Sequence, residues 1–418
     1  MEQMINQWIP RWEEEYIKGW LDKTGKGLLL LGARQIGKSS ILKRIMTSLS
    51  DVVFCNYASP SMLQNHRISL DSLKNEIEYK IESAKGHIVT VIVDEAPRLP
   101  AVFDLAQEMM DEQKGKVRFV MTGSSARRLQ AGTFNRLPGR IVARELWPVA
   151  LGEMPDSIQK KLEDHLVFGT LPEVVTDTSI RGELLSSYVG LYVREEIEQE
   201  NLVRSPEVFS RFLKLAAGES GGLLNAGKLA KQIGASLKTV QRFYEVLTST
   251  RLAFFLSPFT HGRLRGEIIQ TPKYYWFDNG VRNAAAARPL DRSLNEIEGG
   301  LLFEHLMIQE AHKVVSAYSR PSKPVTCHFW KAHNGKEIDL VLVKSGHEVA
   351  QYEFKYTKAI NDKYFDGFRK YDELVNKNKF KITKRAVVAP VARNQKHGAM
   401  SVICVNEYLK SLMDFVTS

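Results

Sequence analysis

"GLLLLGARQIGKSS", residues 27–40, is an apolar run, a glycine-bounded loop and a Lys-Ser pair that opens a helical pattern. Gly32 to Ser39 satisfies G-x-x-x-x-G-K-[ST], directly after the strand-like GLLLLG and directly before the amphipathic SSILKRIMTSL. That context gives the motif its meaning. Glycines let the backbone curl so that successive N–H groups converge, and the following helix N-terminus adds positive potential; together they cradle phosphate oxygens. On this reading Gly32, Ala33, Arg34, Gln35, Ile36, Gly37, Lys38, Ser39 and Ser40 wrap the phosphates of ATP. Lys38 reaches the β- and γ-phosphates, and the Ser39 hydroxyl ligates Mg²⁺.

Working outward, strand-like runs recur at GLLLLG (27–32), DVVFCNY (51–57), HIVTVIVDE (87–95), VRFVMTGS (117–124) and RIVARELWP (140–148), with helical stretches between them. Strands alternating with helices predict an α/β fold with a mostly parallel sheet over residues 1–150. Asp94 ends the third run and suits the second Mg²⁺ contact, while Glu95 is placed to polarise an attacking water. Thr122 and Ser124 stand near the γ-phosphate on the fourth, or else cap the helix that follows. Arg136 and Arg140 in NRLPGR are candidates for a cation offered in trans to a neighbouring subunit's γ-phosphate, which implies a homo-oligomer; the alternative is a structural arginine at a tight turn.

Bulk composition sets the frame. At 418 residues the chain is long enough for two to three domains, and 25% charged residues is ordinary for a folded soluble chain. The net charge is +10, and residues 351–400 carry 12 Lys or Arg against 5 Asp or Glu, which fits a polyanionic partner or a solvated lysine-rich face. Cys55, Cys327 and Cys404 form no C-x-x-C pair, which argues against a zinc cluster or disulfide framework and suits a reducing compartment. The start MEQMINQWIPRWEEEY is acidic and interrupted, unlike a signal peptide, and no apolar run reaches the ~18 residues needed to span a bilayer. A cytoplasmic protein with no membrane partner is expected.

Residues 151–215 read as a helical linker, through SIQKKLEDHLVFG and RGELLSSYVGLYVREEIEQE. Over 216–288, NAGKLAKQIGASLKTVQRFYEVLTSTRLAFFLSPF predicts two helices around a turn at Gly234–Ser236, then a strand. Leu237, Val240, Phe243 or Tyr244, and Leu247 recur at helical spacing, leaving Lys238, Gln241 and Arg242 outward. This is the pattern of a winged helix-turn-helix, with those three residues as candidate DNA contacts. Residues 289–418 alternate helix and strand again. In EIDLVLVKSGHEVAQYEFKY (337–356), two strands flank a turn, with Asp339 on the first and Glu353 and Lys355 sharing a face of the second.

The whole pattern GARQIGKSS, VDEAPRLP, TGSS, LPGR, LWPVALGE, FGTLPEVV, KYYWFDNG, GGLLFEHL and EIDLVLV…EFKY resembles a family of bacterial and archaeal AAA+-type P-loop ATPases. Ser39 stands where Thr is commoner, Ala96–Pro97 replace the usual residues after the acidic pair, and Thr170–Leu171 stand where a Gly-aromatic pair is common. The resemblance implies an AAA+-like ATPase core, a winged-helix module and a C-terminal restriction-endonuclease-like α/β domain. That domain's pattern is an acid on a helix, an Asp on a strand, then Glu-x-Lys, and it falls here on Glu304, Asp339, Glu353 and Lys355.

The chemistry supports this pattern independently. Carboxylates at Asp339 and Glu353 suit Mg²⁺ or Mn²⁺, and Lys355 can orient or deprotonate a water. Glu304 has Leu301, Ile308 and Ala311 as helical neighbours, so it lies on an apolar stripe that needs a cation or strong donors to hold a carboxylate. His305, His312, His328 and His333 fall at no metal-ligand spacing. Three functions stay open: an ATPase coupled to DNA processing with nuclease activity, a nucleotide-switched DNA binder with a silent nuclease-like domain, and a regulatory ATPase acting on protein partners.

Overall fold

In the computed structural model, residues 8–124, 139–156, 161–193, 205–260, 266–288, 290, 294–375, 380–398 and 400–418 are described. The chain divides into two compact units, Met1–Val149 with Ser249–Arg251, and Ala150–Thr248 with Leu252–Ser418.

The first unit is built on five parallel strands, β1 (Gly27–Leu31), β2 (Val52–Asn56), β3 (Val89–Asp94), β4 (Val117–Gly123) and β5 (Ile141–Glu145), in the order β2-β3-β4-β1-β5. Each is one of the apolar runs expected to form it. β1, β3 and β4 are buried along their whole length, as central strands covered on both faces must be. The covering helices are α1 (Trp12–Lys23), α2 (Lys38–Met46), α3 (Pro60–Ile68), α4 (Asp71–Ser83) and α5 (Ala101–Glu112). Leu73 and Ile77 of α4 and Phe103 of α5 pack with Val53, Val91 and Phe119 in one apolar cluster. The strand order leaves β4 between β1, which carries the glycine-rich loop, and β3, which ends in Asp94.

The second unit begins with short helices α6 (Leu162–Phe168), α7 (Pro172–Thr176) and α8 (Arg181–Ser187), followed by α9 (Pro206–Gly218), α10 (Ala226–Ile233) and α11 (Leu237–Ser249). Gly234 ends α10 in the left-handed region at φ 68°, the conformation that lets α11 turn away. Phe243 of α11 meets Phe209 edge-on at 4.9 Å, and Tyr244 meets Phe212 at 5.0 Å, which fixes the helices through aromatic packing. Val240 and Leu247 are buried with them, but Leu237 at the helix start is 49% exposed and lies outside this core.

β6 (Ala253–Pro258) and β7 (Lys273–Trp276) pair antiparallel, and β6 also pairs in parallel with β8 (Val325–Lys331) through Ser257↔His328. The hairpin that follows α11 is therefore one edge of a larger sheet. β9 (Glu337–Lys344), β10 (Glu348–Phe354), β11 (Lys381–Val388), β12 (Gln395–His397) and β13 (Met400–Ile403) complete it among the described residues, in the order β12-β13-β11-β10-β9-β8-β6-β7. The C-terminal segment runs α13 (Glu296–Tyr318), β8, β9, β10, α14 (Asp366–Leu374), β11, with α15 (Val405–Thr417) at the end. β8, β9 and β10 form an antiparallel meander, and α14 carries the chain to β11, which is parallel to β10. Trp330, Ile338, Val341, Phe368 and Tyr371 form the core on one face. Tyr408 of α15 packs edge-on against Tyr352 and donates to Met307 O of α13 on the other.

FGTLPEVV and KYYWFDNG meet in the second unit. Asp278 caps α12 (Asn279–Ala285) by accepting Val281 N at 3.0 Å, and it also accepts Thr170 N at 2.6 Å. Lys313 donates to Thr170 Oγ1 and Glu310 Oε1, and Glu310 Oε2 accepts Leu151 N. All these side chains are buried, and the backbones cross so closely that a Cβ on Gly280 would lie 2.0 Å from Phe168 O. Thr170, one of the departures from the family pattern, is thus a hydrogen-bonding member of this joint. Among the described residues no helix is long and apolar enough to cross a membrane.

Candidate functional site

The loop after β1 needs its glycines for separate reasons. A Cβ on Gly32 would lie 2.5 Å from Leu146 O, and Gly37, directly before α2, sits at φ 96°. Gln35 also occupies the left-handed region at φ 58°, so the backbone of 32–39 is wound tightly between strand and helix. Lys38 is the first residue of α2 and is buried, its Nζ donating to Gly32 O at 3.0 Å and Ala33 O at 2.7 Å. The ammonium is therefore held over the concavity of its own loop. Arg34 and Ser39 are half-buried, Ala33 and Ile36 are buried, and Ser40 is exposed.

Sequence reasoning missed Arg11. It is 4% exposed, and its guanidinium donates to Ile36 O at 3.0 Å and to Trp147 O at 2.7 Å. It therefore stitches the segment before α1 to the phosphate loop and to the residues after β5. A single arginine in an acidic stretch carries no spacing signal, so only the fold could reveal it.

Asp94 is buried at the end of β3 and accepts a hydrogen bond from Thr122 Oγ1 of β4. The same hydroxyl accepts Glu95 N at 3.0 Å. Glu95 is itself at φ 56°, an uncommon conformation for a residue with a side chain, so the chain turns sharply between the two acids. Thr122 acts on the acids in this structure, while Ser124 is simply buried beyond the strand. Arg140 donates from Nε and Nη2 to Asp111 at 2.7 and 2.8 Å, a bidentate pair within the same chain. Arg136 lies outside the described residues.

In the second unit, Lys238, Gln241 and Arg242 are exposed on α11, opposite the buried Val240, Phe243 and Leu247. The C-terminal candidates gather on one face of the β9–β10 pair. Asp339 lies on β9, Glu353 on β10, and Lys355 one residue past the end of β10 at Phe354. Lys355 Nζ is 2.7 Å from Glu353 Oε1 and 3.7 Å from Asp339 Oδ2. Phe354 N donates to Asp339 Oδ2 at 2.8 Å, while the buried Glu353 Oε2 has no hydrogen-bond partner.

Burial pushes the Asp339 carboxyl up to about 6; Lys355 opposes this and Glu304 adds to it. Burial, then repulsion from Asp339, holds the Glu353 carboxyl well above the usual carboxylate range against the pull of Lys355. For Lys355, burial alone favours the neutral amine, but Asp339 and Glu353 outweigh it and raise the ammonium above its ordinary value. Lys355 is therefore charged at neutral pH, a donor and electrostatic partner and not a base for water.

Glu304 is engaged elsewhere. Its Oε1 accepts Lys273 Nζ at 2.8 Å and Tyr275 OH at 2.8 Å, both from β7. Lys273 also contacts Glu337 Oε1 at 2.5 Å, and Lys331 contacts Glu337 Oε2 at 2.5 Å. The strong donors required by an acid on the apolar side of α13 are thus supplied by the hairpin. Leu301, expected on that apolar stripe, is 44% exposed. Among the described residues no three His, Cys, Asp or Glu side chains form a group that could hold a metal ion. His305 is buried on Trp276 O, and His312 stacks on Phe254.

Residues 24–155 match the family model described as an AAA domain. The first unit is a nucleotide-binding core of the AAA P-loop ATPase type, with the α/β fold its sheet displays. Residues 159–292 and 299–408 match two further models, each described as a domain of unknown function (DUF8612 and DUF4143). Two uncharacterized proteins, of Mycobacterium bovis and Mycobacterium tuberculosis, are each 21% identical over 338 residues, which is 79% of this chain and 70% of theirs. Among solved structures, the Aeropyrum pernix Orc1 protein in complex with DNA is similar at 13% identity and a TM-score of 0.31, over 68% of this chain and 94% of that one. Cdc6p from Pyrobaculum aerophilum is similar at 13% identity and a TM-score of 0.29, over 72% and 97%.

Proposed function

We propose that this ATPase uses Mg²⁺ and ATP to control DNA binding, and that its C-terminal unit carries a metal-dependent site for phosphodiester cleavage. The observation that carries the second half is Glu353 Oε2: a buried carboxylate oxygen without a partner, beside Asp339 and one ammonium. Leaving such an atom unpaired costs free energy that a bound cation would recover.

At the first site, Ser39 and Asp94 would hold Mg²⁺, Lys38 and the loop amides would bind the phosphates, and Glu95 would orient water. Thr122 holds Asp94 and the Glu95 backbone in register for that work. At the second site, Asp339 and Glu353 fit a hard divalent cation, Mg²⁺ or Mn²⁺, through their oxygens. A divalent ion held by Asp339 and Glu353 would supply Lewis-acid polarisation of the scissile phosphate. Lys355, held charged by the two acids, offsets negative charge that develops on the phosphoryl oxygens. Lys238, Gln241 and Arg242 would contact the groove or backbone of DNA, and Arg140, once released from Asp111, would act across a subunit boundary of a homo-oligomer.

A second reading is a nucleotide-switched DNA binder with a silent C-terminal site. The engagement of Glu304 by Lys273 and Tyr275 favours it, since the third acid is already neutralised. The deciding experiment is DNA cleavage by the full chain with Mg²⁺ or Mn²⁺, with and without ATP, on duplex, single-stranded and branched substrates. Cleavage that disappears in Asp339→Ala establishes the nuclease, and Lys38→Ala reports whether ATP gates it. Intact ATP hydrolysis with no cleavage on any substrate supports the switch.

A further inference from the structure

The guanidinium of Arg11 joins two stretches of main chain that lie far apart in sequence. Nη1 donates to Ile36 O, 25 residues on, and Nη2 to Trp147 O, 136 residues on. Both stretches frame the phosphate loop. Leu146 N donates to Leu31 O at 2.7 Å, and Leu146 O runs so near Gly32 that a Cβ there would lie 2.5 Å away. The chain leaving β5 therefore crosses the loop where it begins, and Arg11 ties that crossing to the end of the loop before Gly37.

Peptide geometry says what this bond does. The Ile36 carbonyl and the Gly37 N–H belong to one planar trans group, so they point in opposite directions. Ile36 lies between two residues in the left-handed region, Gln35 at φ 58° and Gly37 at φ 96°, and its own side chain is buried. Glycine tolerates φ of either sign, so nothing in Gly37 itself stops the plane from turning over. Arg11 does stop it. With Ile36 O drawn to the guanidinium, the Gly37 N–H is held pointing away from Arg11, and it is one of the amides on which a phosphate cradle depends. The segment carrying the arginine is steadied in turn by α2. Arg44 Nε donates to Glu14 Oε2 at 3.3 Å, and the Arg44 guanidinium lies over the Trp8 ring, 4.9 Å from its centroid.

We infer that Arg11 is a positioning residue for the triphosphate of ATP: it fixes the Ile36–Gly37 peptide plane, and through it the amides that bind phosphate, without itself touching the nucleotide. This rests on the phosphate-loop reading of residues 32–39. Arg118 offers a matched control. It is equally buried, and it donates to Thr90 Oγ1 at 2.9 Å and to Leu21 O and Thr24 O at the end of α1. It precedes Gly123, whose carbonyl accepts Gly32 N beside the loop, by five residues of β4, so at ~3.3 Å per residue it stands roughly 17 Å from the loop edge.

The test is calorimetric titration of the full chain with Mg-ATP and with Mg-tripolyphosphate, which carries the phosphates but no base, beside steady-state hydrolysis and thermal melts. Arg11→Gln is expected to weaken both ligands by the same factor, roughly 10–100-fold, as for the loss of a charge-assisted bond, with most of the effect on hydrolysis in KM and little in kcat. Arg11→Lys keeps the charge but not the fork that spans two carbonyls, so an intermediate loss is expected; it carries the test if Arg11→Gln does not fold. Arg118→Gln is expected to lower Tm and leave both affinities unchanged. Unchanged affinities in the Arg11 variants, or an equal loss in Arg118→Gln, overturn the inference while the phosphate loop stands. Weakened ATP with tripolyphosphate unaffected makes Arg11 a contact of the base or sugar and overturns it too. A parent chain that binds neither ligand overturns the phosphate-loop reading and the inference together.

Discussion

Thr122 donates its hydroxyl to Asp94 and accepts the amide of Glu95 at 3.0 Å, so one β4 side chain fixes both acids at the end of β3. Thr122→Val keeps the shape and removes both bonds. ATP hydrolysis is expected to fall roughly 10–100-fold, as when a residue that orients a metal ligand is removed. The fold should lose ~1–3 kcal/mol from the unsatisfied buried groups. Phosphate release beside nucleotide binding checks this; unchanged hydrolysis would show that the two bonds do not matter to the chemistry.

Glu95 and Lys38 should separate binding from turnover. Glu95→Gln is expected to bind ATP normally and hydrolyse it about 10²–10⁴-fold more slowly, the usual worth of a positioned base. Lys38→Ala should lose nucleotide binding itself. Fluorescent-nucleotide titration together with steady-state hydrolysis distinguishes them, and equal loss of binding in both would remove Glu95 from the role of base.

Asp339 predicts a pH dependence with a definite sign. Its carboxyl titrates at about 6 when folded, against 3.8 for an ordinary aspartate, so the folded state holds the extra proton between those values. Stability contributed by this group is therefore greatest at low pH and declines as pH rises from about 4 to about 6, a difference of ~3 kcal/mol. The groups facing it are Glu304 from α13, Lys273 from β7, Glu337 from β9, Glu353 from β10 and Lys355 just past the end of β10. Because a cation needs the deprotonated form, Mn²⁺ stabilisation should strengthen over the same rise. Asp339→Asn should flatten both trends in melting curves taken from pH 4.5 to 8. A wild-type profile that the substitution leaves unaltered would refute the assignment.

The exposed face of α11 makes a salt-dependent prediction. Lys238→Ala and Arg242→Ala should each weaken DNA binding uniformly across sequences and reduce the slope of log K against log salt by about 1. Affinity measured between 50 and 200 mM salt decides it. Unchanged slopes would mean that this helix packs without touching phosphates.

Gly280 and Gly182 offer a paired stability test. A Cβ at Gly280 would lie 2.0 Å from Phe168 O, whereas at Gly182 nothing lies within 4 Å. Gly280→Ala should cost ~1–3 kcal/mol by overpacking, and Gly182→Ala in the α8 helix should be neutral or slightly stabilising. Thermal melts of the two proteins give the comparison directly.

How much of this was legible beforehand differs between the units. The parallel sheet was readable because GLLLLG, IVTVIVDE and VRFVMTG are continuous apolar runs, and such runs become strands buried on both faces. The phosphate loop was readable because its glycines stand at fixed spacing. Arg11 was not, since a lone arginine acquires meaning only when the fold brings Ile36 and Trp147 to it. The opening reading of Glu304 identified its need for a cation but not the source: Lys273 is 31 residues away in sequence, and no local pattern encodes a pairing across that distance. Lys355 was legible as a residue but not as a charge state, which depends on two acids and burial acting against each other.

β6 exchanges hydrogen bonds with β7 on one side and with β8 on the other. The hairpin that follows α11 is thus laddered, through β6 and β8, to the β9 strand that carries Asp339, so on the proposed reading the helix that would contact DNA and the face that would cut it hang from one sheet. Were both activities present, a nucleotide-driven movement would be expected to carry the two together, so ATP would change where the cutting face stands on the DNA and not the span between grip and cut.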